Sequence, residues 1–104
     1  MNRVSRLKRS SRDSNSEPGF QVVISRRVEG YLETLKEWAP KQAERCADAL
    51  QELAKNPYRP RPGVDIKRIH GQPYQYRLRV RRNRFGYDVD KKTRVVDVKI
   101  AAFK

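Results

Sequence analysis

The last third of the chain alternates, and this constrains the fold more than any other feature. Tyr74, Tyr76, Leu78 and Val80 alternate with Gln75, Arg77, Arg79 and Arg81. Phe85, Tyr87 and Val89 alternate with Arg84, Gly86 and Asp88, and Val96, Val98 and Ile100 with Asp97 and Lys99. Successive side chains on a strand point to opposite faces, so each run predicts a strand with one apolar and one polar face. Three such strands joined by tight turns form an antiparallel meander.

A sheet with one apolar face needs a cover, and the first half of the chain supplies it. FQVVIS (20–25) reads as a strand, with Phe20, Val22 and Ile24 on one face and Val23 buried on the other. Ser25 is placed as an N-cap. Val28, Tyr31, Leu32, Leu35, Trp38 and Ala39 then recur at helical spacing, with Gly30 as a weak point. Pro40 ends this helix and opens a second, whose stripe is Ala43, Cys46, Ala47, Leu50, Leu53 and Ala54. Asn56 and Pro57 stop it, the loop NPYRPRPGVD follows, and Val64–Ile69 forms a short extended piece. The expected fold class is α+β: an N-terminal strand and a helical hairpin packed on a small antiparallel sheet that ends in the meander. Residues 1–18 (MNRVSRLKRSSRDSNSEP) are rich in Ser and Arg and too polar to bury a core, which predicts a disordered tail before a domain over 19–104.

Charge is distributed unevenly over these elements. The chain holds 25 basic and 12 acidic residues, for a formal net charge of +13. The helical hairpin over 26–55 is balanced, whereas residues 57–86 carry nine basic residues against the single acidic Asp65. An excess of this kind attracts polyanions. A two-residue turn at Arg82–Asn83 would pair Val80 with Phe85, Leu78 with Tyr87, Arg79 with Gly86 and Arg77 with Asp88. In that register every apolar residue meets another. Arg77, Arg79, Arg81 and Arg84 would then project from one face, with Asp88 as the nearby counter-charge and an open spot over Gly86 for a phosphate. Arginine suits such a surface because its planar donors match phosphate oxygens in pairs and its charge persists across the working pH range.

Other chemistry is sparse. Cys46 is the only cysteine, so no disulfide forms within the chain and a buried apolar role is expected. His70, the only histidine, precedes a Gly-Gln-Pro turn and reads as a surface residue. No glycine loop for phosphates, paired carboxylates or metal-ligand spacing is present, so no metal and no cofactor are expected. No apolar run spans a membrane and no secretory signal opens the chain, which predicts a cytoplasmic protein. Tyr76 and Tyr87 are expected in the core rather than free to stack on bases.

The phrases LAKNP (53–57), DIKRIHG (65–71), YRLRV (76–80) and RFGYDVD (84–90), in this order and spacing, resemble the RelE/ParE toxin superfamily, and its RelE-like branch in particular. The likeness covers residues 20–104. It implies the toxin of a toxin–antitoxin system: a ribosome-dependent endoribonuclease that cleaves messenger RNA and inhibits translation. The implied partners are messenger RNA, the ribosome and a cognate antitoxin, with the toxin–antitoxin hetero-oligomer able to bind operator DNA. By position, Arg77 and Arg79 correspond to the basic pair of the family's catalytic strand, and Arg84 to the arginine after its hairpin turn. Lys104 takes the place of the basic residue after the last strand, without the tyrosine that often follows. Lys67 and Arg68, with Arg81 and Arg82, would contact RNA. The implied chemistry uses the RNA's own 2′-hydroxyl as nucleophile, with arginines clamping the developing phosphate charge. The turn departs from the family's usual glycine, with Arg81-Arg82 in its place. Two alternatives share the fold: a ParE-like gyrase inhibitor, and an inert relative that binds RNA or an antitoxin.

Overall fold

The computed structural model describes residues 19–104. The tail expected over 1–18 lies outside the described residues. The order of elements is β1 (Gln21–Ile24), α1 (Arg26–Trp38), α2 (Pro40–Glu52), β2 (Asp65–Arg68), β3 (Tyr76–Val80), β4 (Asn83–Asp90) and β5 (Val95–Phe103). The strands form one sheet in the order β1-β5-β4-β3-β2. The meander β3-β4-β5 is antiparallel, and the extended piece after the loop pairs antiparallel with β3 as β2. β1 lies parallel to β5, with Val22 beside Val96 and Ile24 beside Val98, so the sheet is mixed.

Local chemistry sets the helix ends. The Ser25 hydroxyl accepts from the Val28 amide at 3.1 Å and starts α1. The Ala39 amide closes α1 on the Leu35 carbonyl at 2.7 Å, and Pro40 occupies the first turn of α2, where its missing N–H is no loss. The two apolar stripes face one side of the sheet. Val22, Val28, Leu35, Cys46, Leu50, Leu53, Leu78, Phe85, Tyr87, Val96 and Val98 are buried between the layers. Burial pushes the Cys46 thiol up to about 11, in keeping with a packing role. Two stripe positions differ from expectation. Ala49 is buried, whereas Trp38, at the end of α1, is 61% exposed and meets the ring of Phe103 edge-on.

The long loop is tied down by polar groups. The Asn56 side chain accepts from the Tyr58 and Arg59 amides at 2.9 and 3.1 Å. Arg61 donates to the carbonyls of Glu52 (2.7 Å) and Asn56 (3.0 Å), and the buried Tyr87 hydroxyl donates to the Pro57 carbonyl at 2.6 Å. These contacts hold the loop against the end of α2 and deliver β2 to the edge of the sheet beside β3.

The hairpin register corrects the expected one by two residues. Tyr76 pairs with Tyr87, Arg77 with Gly86, Leu78 with Phe85, Arg79 with Arg84 and Val80 with Asn83, so the turn is Arg81–Arg82. A shift of two keeps Arg77, Arg79 and Arg84 on their predicted face, and Tyr76 still meets Tyr87 and Leu78 meets Phe85 on the helix side, while Val80 now faces Asn83. Asn83 decides between the registers. It is fully buried; its Oδ1 accepts from the Tyr31 hydroxyl at 2.6 Å, and its Nδ2 donates to Gln42 and to the Val80 carbonyl at 3.1 Å. A polar residue that looked like a turn signal is a partner for α1 and α2.

Candidate functional site

The face of the sheet away from the helices carries the charge. Leu78 and Ile66 point into the core, so Arg77 and Arg79 on β3 and Asp65 and Lys67 on β2 point outward. Phe85 and Tyr87 point inward, so Arg84 and Gly86 face outward on β4. Lys67 lies directly across from Arg77, and Arg79 directly across from Arg84. Cations set opposite one another on neighbouring strands repel, which is tolerable only where water or a bound anion screens them.

The counter-charges differ from those expected. Asp65, not Asp88, sits among the arginines: its Oδ2 accepts from Arg79 Nε at 3.1 Å. Asp88 instead pairs with Lys99 at 2.8 Å and accepts the Gln75 amide at 2.8 Å. That hydrogen-bonded pair holds the Lys99 ammonium above its usual pKa. Arg77 and Arg84 have no carboxylate among the described residues. Each is half-buried, and each has its Nε fully buried with no hydrogen-bond partner. A buried donor left unmade costs roughly 1–3 kcal/mol, more when it belongs to a charged group.

The open spot over Gly86 is filled. A Cβ built on Gly86 would lie 2.8 Å from three ring atoms of Tyr74. The expected alternation put Tyr74 with the core; the chain instead bends before β3, and the ring lies on the arginine side of the sheet. Tyr76 and Tyr87 hold their expected inner positions, stacked at 5.5 Å between centroids with 21° between their planes.

The remaining basic residues divide between sites. Lys67 joins the outer face. Arg68 points the other way and lies over the Tyr76 ring at 5.3 Å. Arg81 leaves the strand for the turn at φ 60° and borders a groove of about 840 Å³ with Arg45 and Asp48 of α2. Arg82 donates from Nε to the Lys104 carbonyl at 3.1 Å and lies over the Phe103 ring at 5.5 Å. The Lys104 amide donates to the Arg82 carbonyl at 2.7 Å, which places Lys104 at the hairpin tip, beyond the pair Arg84 and Ala102. His70 is exposed. The structure therefore brings together Lys67, Arg77, Arg79 and Arg84, sets Arg81, Arg82 and Lys104 at one end, and turns Arg68 away. Sequence reasoning missed Asp65 as the partner of Arg79 and Tyr74 as the aromatic member of this face. Gly86, a residue without a side chain within an alternating strand, was the signal for the second.

No helix among the described residues is long and apolar enough to cross a membrane. No family model and no curated protein matches the sequence. Among solved structures, the fold matches a chain of the archaeal RelE–RelB complex from Pyrococcus horikoshii OT3 with a TM-score of 0.68. The match has 23% sequence identity and spans 83% of this chain and 96% of that one. The chain has the RelE fold.

Proposed function

We propose that this chain is the toxin of a toxin–antitoxin pair: a cytoplasmic endoribonuclease that cleaves messenger RNA on the ribosome, with the outer face of its sheet as the RNA site. The observation that carries this reading is the state of Arg77 and Arg84. Both are half-buried on one face, neither has a counter-ion among the described residues, and each holds a buried donor without a partner. Such donors are satisfied when an anion with several acceptor oxygens arrives, and a phosphodiester is one.

The arrangement suits phosphoryl chemistry in which the RNA's 2′-hydroxyl attacks the adjacent phosphorus and the 5′-oxygen departs. Charge builds on the non-bridging oxygens in that step. Arg79, fixed by Asp65, and Arg84, directly across from it, form a clamp for those oxygens, with Arg77 and Lys67 continuing the track along the backbone. Donors already in place need no reorganisation as the charge develops. Lys104 and Arg82 extend the positive surface around the tip. The fold match is to a chain of a RelE–RelB complex, which supports an antitoxin as the neutralising partner. A hetero-oligomer of the two on operator DNA is the resting form this reading implies.

The test is a translation extract given purified protein. Cleavage of a message is expected only while it is being translated, and Arg84→Ala should lower the rate by about 10²–10³, the usual loss for one donor to a developing oxyanion. The variant should melt like the parent. An intact message in an actively translating extract overturns the reading.

A further inference from the structure

The aromatic residues of this chain differ in one respect. There are nine, all within the described residues. Eight make contact with another ring, and Phe20, Tyr76 and Phe103 also lie under a guanidinium. Tyr74 makes neither contact. Its ring lies on the backbone of Gly86, where the three nearest ring atoms are equidistant from the position of a Cβ, at 2.8 Å. One π-face is therefore pressed on the sheet, and the other points outward from the arginine face.

The ring is held there by the segment that carries it. The Gln75 amide donates to Asp88 Oδ1 at 2.8 Å, the Val89 amide donates to the Gln75 side chain at 3.1 Å, and the Ile69 amide donates to the Gln75 carbonyl at 2.8 Å. Asp88 is fixed in turn by Lys99 at 2.8 Å. These bonds carry the chain across the end of the sheet, so Tyr74 lies outside while Tyr76, two residues on, lies inside. Gly86 is the Cα partner of Arg77 and stands two residues from Arg84. The ring thus lies over the residue directly across from Arg77, whose Nε is buried and unpartnered, on the track a phosphodiester backbone would follow.

We propose that Tyr74 is a positioning residue for single-stranded RNA: its outer π-face stacks on an unpaired nucleobase next to the phosphate held by Arg77 and Arg84. Stacking on a flat ring accepts any base, because every base has a π-face. Arginines alone hold a backbone but do not fix the rotation of the nucleotide about it. A base clamped on Tyr74 fixes that rotation and so sets the sugar, with its 2′-hydroxyl, relative to the clamped phosphate. Gly86 is then a functional glycine: a methyl group at this position meets the ring and lifts it.

This inference rests on the outer face being an RNA site, and the experiment separates the two claims. The probes are a short single-stranded RNA and an abasic version of the same length, titrated at several salt concentrations. The parent protein is expected to bind both in a salt-dependent way and the base-bearing probe about ten-fold more tightly. Tyr74→Ala should bring the base-bearing probe to the abasic level and leave abasic affinity unchanged. Tyr74→Phe should keep the preference, and Gly86→Ala should reduce it. Melting temperatures of the variants show whether each is folded, and Tyr74→Phe tests the ring where Gly86→Ala fails to fold. Salt-dependent binding with no preference for bases overturns the Tyr74 proposal alone. Equal weakening of both probes by Tyr74→Ala overturns it too, because the ring then acts only as packing. Loss of binding to a protein partner with RNA binding intact assigns the ring to a protein contact and overturns it as well. No salt-dependent affinity for either probe overturns the RNA site and the proposal together.

Discussion

The two faces of the sheet treat polar groups in opposite ways. On the helix side, burial is matched by partners at Asn83 and Tyr87, although the Tyr58 hydroxyl, packed against Phe20 and Tyr76, is buried without one. Asn83 has Tyr31, Gln42 and the Val80 carbonyl, and the Tyr87 hydroxyl has the Pro57 carbonyl. On the outer side, Arg77 and Arg84 bury their Nε atoms with nothing to receive them. A folded chain has no reason of stability to keep such donors, since replacing them with apolar groups of similar shape is often neutral or favourable. One face meets most of its polar groups from within the chain, and the other keeps donors that an arriving anion would meet. The sharpest way to break this contrast is to truncate one residue on each. Phe85→Ala empties a fully buried site beneath α1, where its ring meets Tyr31 edge-on, and is expected to cost about 3–5 kcal/mol. Arg77→Met, one strand over and on the other face, should leave stability within about 1 kcal/mol of the parent or raise it, while weakening RNA binding. Denaturant unfolding measures both. A large loss of stability in Arg77→Met would mean that its guanidinium serves the fold.

A smaller effect is expected at Asn83, because it involves hydrogen bonds rather than a cavity. Asn83→Leu keeps the branching of the side chain, adds some bulk, and strands the Tyr31 hydroxyl and the Gln42 side-chain oxygen, at a cost of about 1–3 kcal/mol for the lost hydrogen bonds. Tyr31→Phe made together with it should recover part of that loss, and the coupling in a double-mutant cycle measures it. Additive losses would show that the network does not hold α1 to β4.

These residues also show what could be read from the sequence. The inner face was legible because burial imposes a period: alternation along β3 and β4 and helical spacing along α1 and α2 each follow from one apolar side. On β5 the alternation holds for Val96 and Val98 only, because a register shift opposite Gly86 and Tyr87 sets Ile100 beside Gly86 on the outer face and turns Ala101 to the core. The parity of the hairpin was legible for the same reason, and it placed Arg77, Arg79 and Arg84 together. The register was not, because a shift of two preserves parity, and Asn83 carries a turn signal in its composition while its partners lie 41 and 52 residues away. The counter-charge of Arg79 was hidden likewise, since Asp65 reaches it only once β2 pairs with β3. Tyr74 was misplaced because alternation holds only within a strand, and the chain bends before β3 begins. Patterns repeated along an element show from which side it is buried; they do not show which distant polar atom completes it.

The smallest expected effect lies where the two faces meet, at the turn. Arg81 holds φ at 60°, a region that costs a residue with a side chain about 1 kcal/mol and glycine very little. Glycine is also the preferred first residue of a two-residue hairpin turn with one positive φ. Arg81→Gly should therefore stabilise the protein by about 0.5–1 kcal/mol, with glycine's greater freedom in the unfolded chain offsetting part of the gain. The same change removes a cation at the end of the arginine face, next to Arg82 and Lys104. If that cation touches RNA, affinity falls and the dependence of log affinity on log salt flattens by about 0.7, the value for one contact with a single strand. A gain in stability together with a flatter slope is the expected pair, and it would show strain held at the turn for the sake of a charge. A gain in stability with an unchanged slope would confine the RNA site to the strands and leave the strained turn without a function.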